Sequence, residues 1–392
     1  MRLLATLLKL AALGVALAIV AGHLGWLHPA LDSFSHLRMQ LLMFAVVLAV
    51  ALAASRRWEG LALMALALAS LLATMGTIIR PGAGGGRADI TILQQNLLHD
   101  NAEVDAFLAR VREAEPDVIA LQELKAANEA ILPALSNDYP HLHRCRGGGR
   151  VGDVAILSRL PPGTRVRRAC LPGLAIASVR VGEGPGARDV GIGSLHLSWP
   201  WPFGQDRHLE SIERVLPKLT TPAALVGDFN AVTWSASVRR LARTIGGEVV
   251  PRPTGTRVEP DLPPLLRWAW DIPIDHAVVS GMIVLDSVAI PLRGSDHDTL
   301  VTRLALPPAA PPEREAWLNR GGRGALPVPR KALAEHADLM HDVALNARFM
   351  GGVHDLGEAE SEGQNDREGP DGAKAEHGAS LSLMERKLAG DA

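Results

Sequence analysis

The feature that most limits the fold is a set of three apolar segments in the first 79 residues. Residues 3–20 are apolar except for Thr6 and Lys9, residues 41–54 are unbroken, and residues 60–79 carry no charge. A bilayer span needs roughly 20 predominantly apolar residues. The third segment reaches that length alone, and the first two reach it with their flanks. All are rich in Leu and Ala, lack amphipathic periodicity and are joined by short loops. A soluble helical core is one other reading. A cleaved signal peptide is another, but it leaves the second and third segments unexplained. The expectation is a membrane region over residues 1–79 with three transmembrane helices at about 3–22, 37–55 and 60–79.

Orientation follows from the basic residues of the short loops. Arg2 and Lys9 flank the first segment, and Arg56 and Arg57 separate the second from the third. Only Arg38 lies near the loop between the first and second. This asymmetry puts the N-terminus inside and everything after the third span on the periplasmic or extracytoplasmic side of an inner or cell membrane. "RPGAGGGR" follows, so residues 80–88 read as a flexible linker.

Residues 80–305 hold 25 Lys/Arg against 25 Asp/Glu, a balance that gives no global argument for nucleic-acid binding. After "PPAAPPERE" the tail over residues 307–392 turns acidic and reads as mostly disordered, with one amphipathic helix suggested at 332–349. Its histidines, His336, His341, His354 and His377, are too scattered for a metal site. Neither Cys145 nor Cys170 has a CxxC partner. Outside the cytoplasm they could form one disulfide, and two unpaired thiols are the other reading.

Residues 89–306 alternate β-type runs with helical stretches, which points to a mixed α/β or α+β domain around a large sheet core. Strands are expected at "DITILQQN" (89–96), "DVIALQE" (117–123), "DVAILS" (153–158), "ASVRV" (177–181), "VGIGSLHLS" (190–198), "AALVGDFN" (223–230), "IDHAVVSG" (274–281) and in the closing run 287–306. Helices are expected over 102–114, 205–219 and 235–245. Polar residues recur where the apolar runs end: Asn96, Glu123, His196, Asp228, Asn230, Asp275, Asp296 and His297. Taken singly, an Asp or Asn after a strand is an ordinary turn residue. Together they form a set with a chemistry. Glu123 and Asp296 are hard oxygen ligands and Asn96 can add an amide oxygen, which suits Mg²⁺ or Mn²⁺. Asp228 can deprotonate and align water, Asn230 can orient it, and His196 and His297 can hold phosphoryl oxygens.

The order "QQNLL", "ALQE", "SLHLS", "GDFN", "PIDHAVVS", "GSDHDTL" resembles the endonuclease/exonuclease/phosphatase superfamily over about residues 90–306. The resemblance implies a four-layer sandwich, two packed mixed β-sheets flanked by helices. It implies Glu123 as metal ligand with Asn96 and Asp296 nearby, and Asp228 as general base. Asn230 would orient phosphate or water. His297 would contact the scissile phosphate, held in its tautomer by Asp275, and His196 would be a second donor. The activity implied is hydrolysis of phosphate esters, most simply as a phosphodiesterase of the nuclease or phospholipase C type. A phosphomonoesterase and a catalytically silent binding domain are the alternatives. The implied partners are a phosphate-ester substrate, nucleic acid or phospholipid headgroup, and the lipid bilayer. No protein partner is evident.

Two departures narrow this. Leu98 stands where some family nucleases carry an acid, which weakens the case for a second metal there. The chain's one tyrosine, Tyr139, lies upstream of the tyrosine of abasic-site enzymes. Seven arginines between 144 and 168, and the aromatic loops "SWPWPFGQD" (198–206) and "LLRWAWD" (265–271), suit a phosphate-bearing substrate with a flat or apolar part. They do not choose between a base and an acyl chain.

Overall fold

A computed structural model describes residues 2–78, 86–147, 152–164, 168–251, 255–258, 263 and 270–308. Most of the expected linker, Arg150, Arg165 and Arg167 of the basic run, Trp268, and the tail with its suggested helix lie outside the described residues.

The chain begins with α1 (Arg2–His23), α2 (Pro29–His36), α3 (Arg38–Ala54) and α4 (Trp58–Ile78). Two helices, Leu3–His23 and Trp58–Ile78, are long and apolar enough to cross a membrane. A third candidate exists if α2 and α3, bent by 68° at their junction, count as one span. The short α2 was not expected. Pro29 sits in its first turn and the His28 side chain accepts from the Ala30 N–H, which starts a helix ahead of the apolar run. This region exposes large apolar side chains and buries polar ones beside an apolar core of Ile19, Leu42, Leu52 and Leu63. Leu7, Leu13, Leu17, Phe44, Val47 and Leu68 are exposed, whereas Asp32, Ser35, Arg38, Ser70 and Thr74 are buried. Arg38 donates to the Gly22 carbonyl at 2.8 Å and to Thr74 Oγ1 at 3.2 Å. Internal pairing of polar groups is what a hydrocarbon surrounding demands.

Next come β1 (Ile90–Asn96), α5 (Val104–Ala114), β2 (Val118–Leu124), α6 (Ile131–Leu135), β3 (His141–Cys145), β4 (Asp153–Ser158), β5 (Ala169–Leu171) and β6 (Leu174–Val181). They are followed by β7 (Arg188–His196), α7 (Gln205–Glu213), β8 (Ala223–Asp228), α8 (Ala236–Thr244), β9 (Glu248–Val249), β10 (Asp275–Ser280), β11 (Ile283–Ile290) and β12 (Thr299–Ala305). The strands form two six-stranded sheets, ordered β11-β12-β1-β2-β4-β3 and β5-β6-β7-β8-β10-β9. Each is mixed, with one parallel pair, β1/β2 in the first and β7/β8 in the second.

Alternation along the strands builds the layers. Ile90, Ile92, Val118, Ala120, Val154 and Ile156 face the other sheet, where Ala175, Val190, Ile192, Ala224, Val226 and Ala277 meet them. The opposite faces are covered by helices: Phe107 of α5 and Ile131 of α6 on the first sheet, Ile212 of α7 and Leu241 of α8 on the second. The two mixed sheets with flanking helices are the architecture expected from the sequence. The closing run 287–306 is two strands, β11 and β12, because residues 291–298 make the turn that carries Asp296 and His297. Edge strands β3 and β5 went unpredicted, being short and only partly buried. They carry Cys145 and Cys170, whose disulfide ties an edge of one sheet to an edge of the other.

Candidate active site

The inter-sheet face is apolar along most of its length and polar at one end. Period-two alternation makes the change legible strand by strand. Gln94 and Asn96 continue the face of Ile90 and Ile92, Gln122 that of Val118 and Ala120, and Asp228 that of Ala224 and Val226. His196 follows Val190, Ile192 and Ser194 on the same face, and Asp275 precedes Ala277. The pairs Asn96↔Gln122, His196↔Asp228 and Asp228↔Asp275 put all of them at the same end.

Glu123 breaks the alternation, which by itself would aim it at the helix layer. The β2/β4 register shifts between Leu121 and Leu124, and Glu123 has φ +57°. The bulge and the left-handed backbone turn its carboxylate into the polar end. Asn230 has φ +46° and Leu98 φ +59°, so three non-glycine residues in strained conformations border the same site. Gly227, at φ +148°, is required: a Cβ there would lie 1.9 Å from the Leu195 carbonyl oxygen.

Asn96 bridges two acids, its Nδ2 donating at 3.0 Å to both Glu123 Oε1 and Asp228 Oδ2. Its Oδ1 accepts from the Leu98 N–H, so ligation of a metal through that oxygen would require the amide to turn over. Asp228 Oδ1 accepts from the Asn230 N–H at 2.7 Å, and Asn230 Nδ2 donates to the Leu197 carbonyl. His196 Nε2 stands 3.5 Å from Asp228 and 3.6 Å from Glu123. His297 Nδ1 meets Asp275 Oδ2 at 2.7 Å, while its Nε2 stands 3.9 Å from both Asp228 Oδ2 and Asp296 Oδ1. Asp296 lies at the rim, with Oδ2 3.5 Å from Arg257 Nε.

Burial pushes the Asp228 carboxyl up to about 7, helped by the Asp275 charge and opposed by His297. Burial works against the His297 cation, but Asp275 and Asp228 overcome it and raise its pKa to about 10. Burial also works against the Asp275 anion, and there the His297 charge and hydrogen bonds from His297, Thr256 and Gln94 prevail, lowering its pKa. Glu123 is held low against its burial by His196, Asn96 and His99.

Glu123, His196 and Asp228 each offer a ligand atom, all within 4.8 Å of one another. Asp296 Oδ1 is buried and accepts no hydrogen bond. A buried carboxylate oxygen with no hydrogen bond, beside an acid-rich cluster, fits a divalent cation. The oxygen-dominated donor set is of the type Mg²⁺ or Mn²⁺ takes.

Several residues escaped the sequence reading. Gln94 Nε2 donates to Asp275 and to Gln122, whose own amide donates to Ser194 across the sheets. Thr256 Oγ1 accepts from the Asp275 N–H, and His99 donates its backbone N–H to Glu123. The signal for the glutamines was present in "QQN" and "LQE": amides on the apolar face of a buried strand. Tyr139 binds the Pro116 carbonyl and Arg159 on the helix side of the first sheet, packed with Phe107 and Leu157 rather than with the polar cluster.

The model of the endonuclease/exonuclease/phosphatase family matches residues 93–297. No curated protein matches the sequence. Among solved structures, an endonuclease/exonuclease/phosphatase from Beutenbergia cavernae is 19% identical, covering 56% of this chain and 72% of its own, with a TM-score of 0.44. The human Nocturnin catalytic domain with bound sulfate is 16% identical, covers 59% and 96%, and has a TM-score of 0.42. TDP2 of D. rerio, complexed with a single-strand DNA product, is 16% identical over 55% and 98%, with a TM-score of 0.41. The family match takes in more than half of the 392 residues and every strand that lends a side chain to the polar end, and the chain belongs to the endonuclease/exonuclease/phosphatase family.

Proposed function

We propose that the chain is a membrane-anchored, divalent-metal-dependent hydrolase of phosphate esters, most simply a phosphodiesterase. The observation that carries this reading is the geometry that sets Asp228, a carboxyl raised by burial to about 7, 3.9 Å from the Nε2 of a His297 that Asp275 holds at 2.7 Å and keeps protonated to about 10. One is a base able to take a proton near neutral pH, and the other is a buried cation able to face a phosphate.

In this reading Glu123 and Asp296 would hold the metal ion, with Asn96 beside them. When bound, the ion neutralises charge on the phosphate oxygens. Asp228 takes a proton from water as the water oxygen bonds to phosphorus, and Asn230 fixes the approach. The ester oxygen leaves with the electron pair of its P–O bond and takes a proton from solvent. His297 donates from Nε2 to a non-bridging oxygen, with Asp275 on Nδ1 fixing its tautomer. His196 supplies a second donor.

The domain limits keep the proposed form: membrane region 1–79, linker 80–88, catalytic domain 89–306 and tail 307–392. The Cys145–Cys170 disulfide supports an extracytoplasmic catalytic domain, since such bonds persist in oxidising compartments. Alkaline phosphatase fused after residue 306 should therefore be active, and an inactive fusion would contradict that side.

The activity is tested with the full chain in detergent, offered plasmid DNA, sphingomyelin and inositol phosphates with Mg²⁺ or with EDTA. At least one ester should be turned over only with the metal. Turnover of none would remove the enzymatic reading.

A further inference from the structure

The membrane helices dock on the loop that follows the catalytic strand. The Asp32 carboxylate of α2 accepts from the N–H groups of Ala236 at 2.7 Å and Ser237 at 3.1 Å, at the start of α8. Trp234 Nε1 donates to the Ser35 carbonyl at 2.8 Å. Ile78 at the end of α4 packs with Val232, Trp234 and Ile274. This loop begins at Phe229, the residue after Asp228 at the end of β8.

Beside the docking contact lies a cavity of about 580 Å³ with walls from both regions. Leu37, Leu41 and Phe44 form one wall, on the candidate membrane span. Trp199, Trp201 and Trp270 form the other, each about half exposed. Asn230 and Arg257 also line the cavity, with Ser33, His36 and Gln40 as the other polar side chains. Asn230 is bonded to Asp228, and Arg257 is paired with Asp296 while its guanidinium lies 5.7 Å from the Trp199 ring. His36 adds a buried Nε2 that makes no hydrogen bond of ordinary geometry. The cavity therefore runs from a lipid-facing helix to the edge of the catalytic cluster.

We infer that this cavity takes the hydrocarbon chain of a membrane phospholipid whose phosphate lies at the Asp228–His297 cluster. The inference rests on the phosphoesterase reading and names its substrate class. Three features select a lipid over a nucleic acid. The walls are almost wholly apolar, whereas a nucleic-acid groove needs a basic track. One wall is a helix whose Phe44 and Val47 are exposed as a lipid-facing surface would be. The three tryptophans are about half exposed and of the residue type that gathers at membrane–water interfaces. The size is that of a pocket for a small amphiphile. Arg257 then sits at the junction of chain and headgroup, where an anionic phosphate passes.

The test uses the full chain in vesicles of phosphatidylethanolamine and phosphatidylglycerol, the latter carrying a photoreactive acyl chain. Crosslinks should concentrate on peptides containing Leu41 and Trp199. Leu41→Trp and, separately, the more exposed Leu37→Trp should lower these crosslinks and Mg²⁺-dependent phospholipid hydrolysis by at least ~10-fold, the scale of a blocked apolar pocket. Hydrolysis of the chain-free ester bis-p-nitrophenyl phosphate should stay unchanged. The two readings fail differently. Crosslinks confined to the outer helix faces, chain-free and lipid esters lost equally in both variants, or an oligonucleotide cleaved in preference to lipid would each overturn the cavity assignment and leave the phosphoesterase standing. Crosslinks in the cavity with no metal-dependent hydrolysis of any ester would keep the lipid site and remove the phosphoesterase.

Discussion

The helical region and the sandwich bury polar groups in opposite settings. In the sandwich, two sheets enclose an apolar core, and the polar side chains gather at one end of it. Among the helices the surface is apolar and the polar side chains lie within: Arg38 held by Gly22 and Thr74, and Asp32 spent on the N-terminus of α8. The difference teaches what each buried polar group is for. The two buried charges join elements: Arg38 ties helix to helix, and Asp32 ties the helices to the sandwich. The cluster at the sandwich end keeps capacity in reserve: Asp296 Oδ1 without a hydrogen bond, and Asp228 facing His297 Nε2 only at 3.9 Å. That reserve is what a substrate and a metal ion would use.

The comparison can be broken at several points. His297→Ala should have the largest effect, because it leaves Asp275 and Asp228 buried without their counter-charge. Removing one partner of a buried pair costs ~3–5 kcal/mol. Denaturant unfolding of the detergent-solubilised chain checks this, and an unchanged midpoint would mean that the cluster is not held by that pair. Replacing both Cys145 and Cys170 by Ser should cost ~2–4 kcal/mol by the same measurement, since the bond closes a 25-residue separation. Asp32→Ala should cost ~1–3 kcal/mol by leaving buried N–H donors of α8 unpaired. A thermal melt unaffected by Asp32→Ala would show that the helices and the sandwich do not depend on that contact. The exposed pair Arg303–Asp286 should matter least, with Asp286→Asn within ~1 kcal/mol of the parent.

The pH dependence sharpens the same contrast. In the metal-free protein the His297 pKa is raised to about 10, against an ordinary value of about 6.5. Between these values the folded state holds a proton that the unfolded state has lost, so stability falls as pH rises. The His297 contribution is whole below about pH 6.5 and gone above about 10. His297→Gln should flatten this alkaline decline in a series of melts, and an unchanged slope would refute the assignment.

The sandwich was legible because its signals are local. Alternation announces the buried strands, though not the short edge strands β3 and β5, and a polar residue on the apolar face announces the site, as Asp228 does after Ala224 and Val226. Glu123 was legible by type but not by direction, since alternation aims it at the wrong layer and only the bulge corrects it. The docking of the helices was not legible. Asp32 is the lone acid among the first 58 residues, a signal that something pairs with it. Its partners Ala236 and Ser237, however, lie 204 and 205 residues away, and no local pattern names them. The aromatic loop 198–206 was visible as a loop, while its opposition to Leu41 and Phe44 depends on that same long-range contact.

In the proposed function, the polar end of the inter-sheet core is a hydrolytic site built around Asp228. The most direct measurement is Mg²⁺-dependent turnover of a phosphodiester by the full chain and by Asp228→Ala, with a thermal melt of each. Turnover should fall by at least ~10²-fold, the scale of a lost general base, with the fold retained. Near-parental turnover by the folded variant would contradict it.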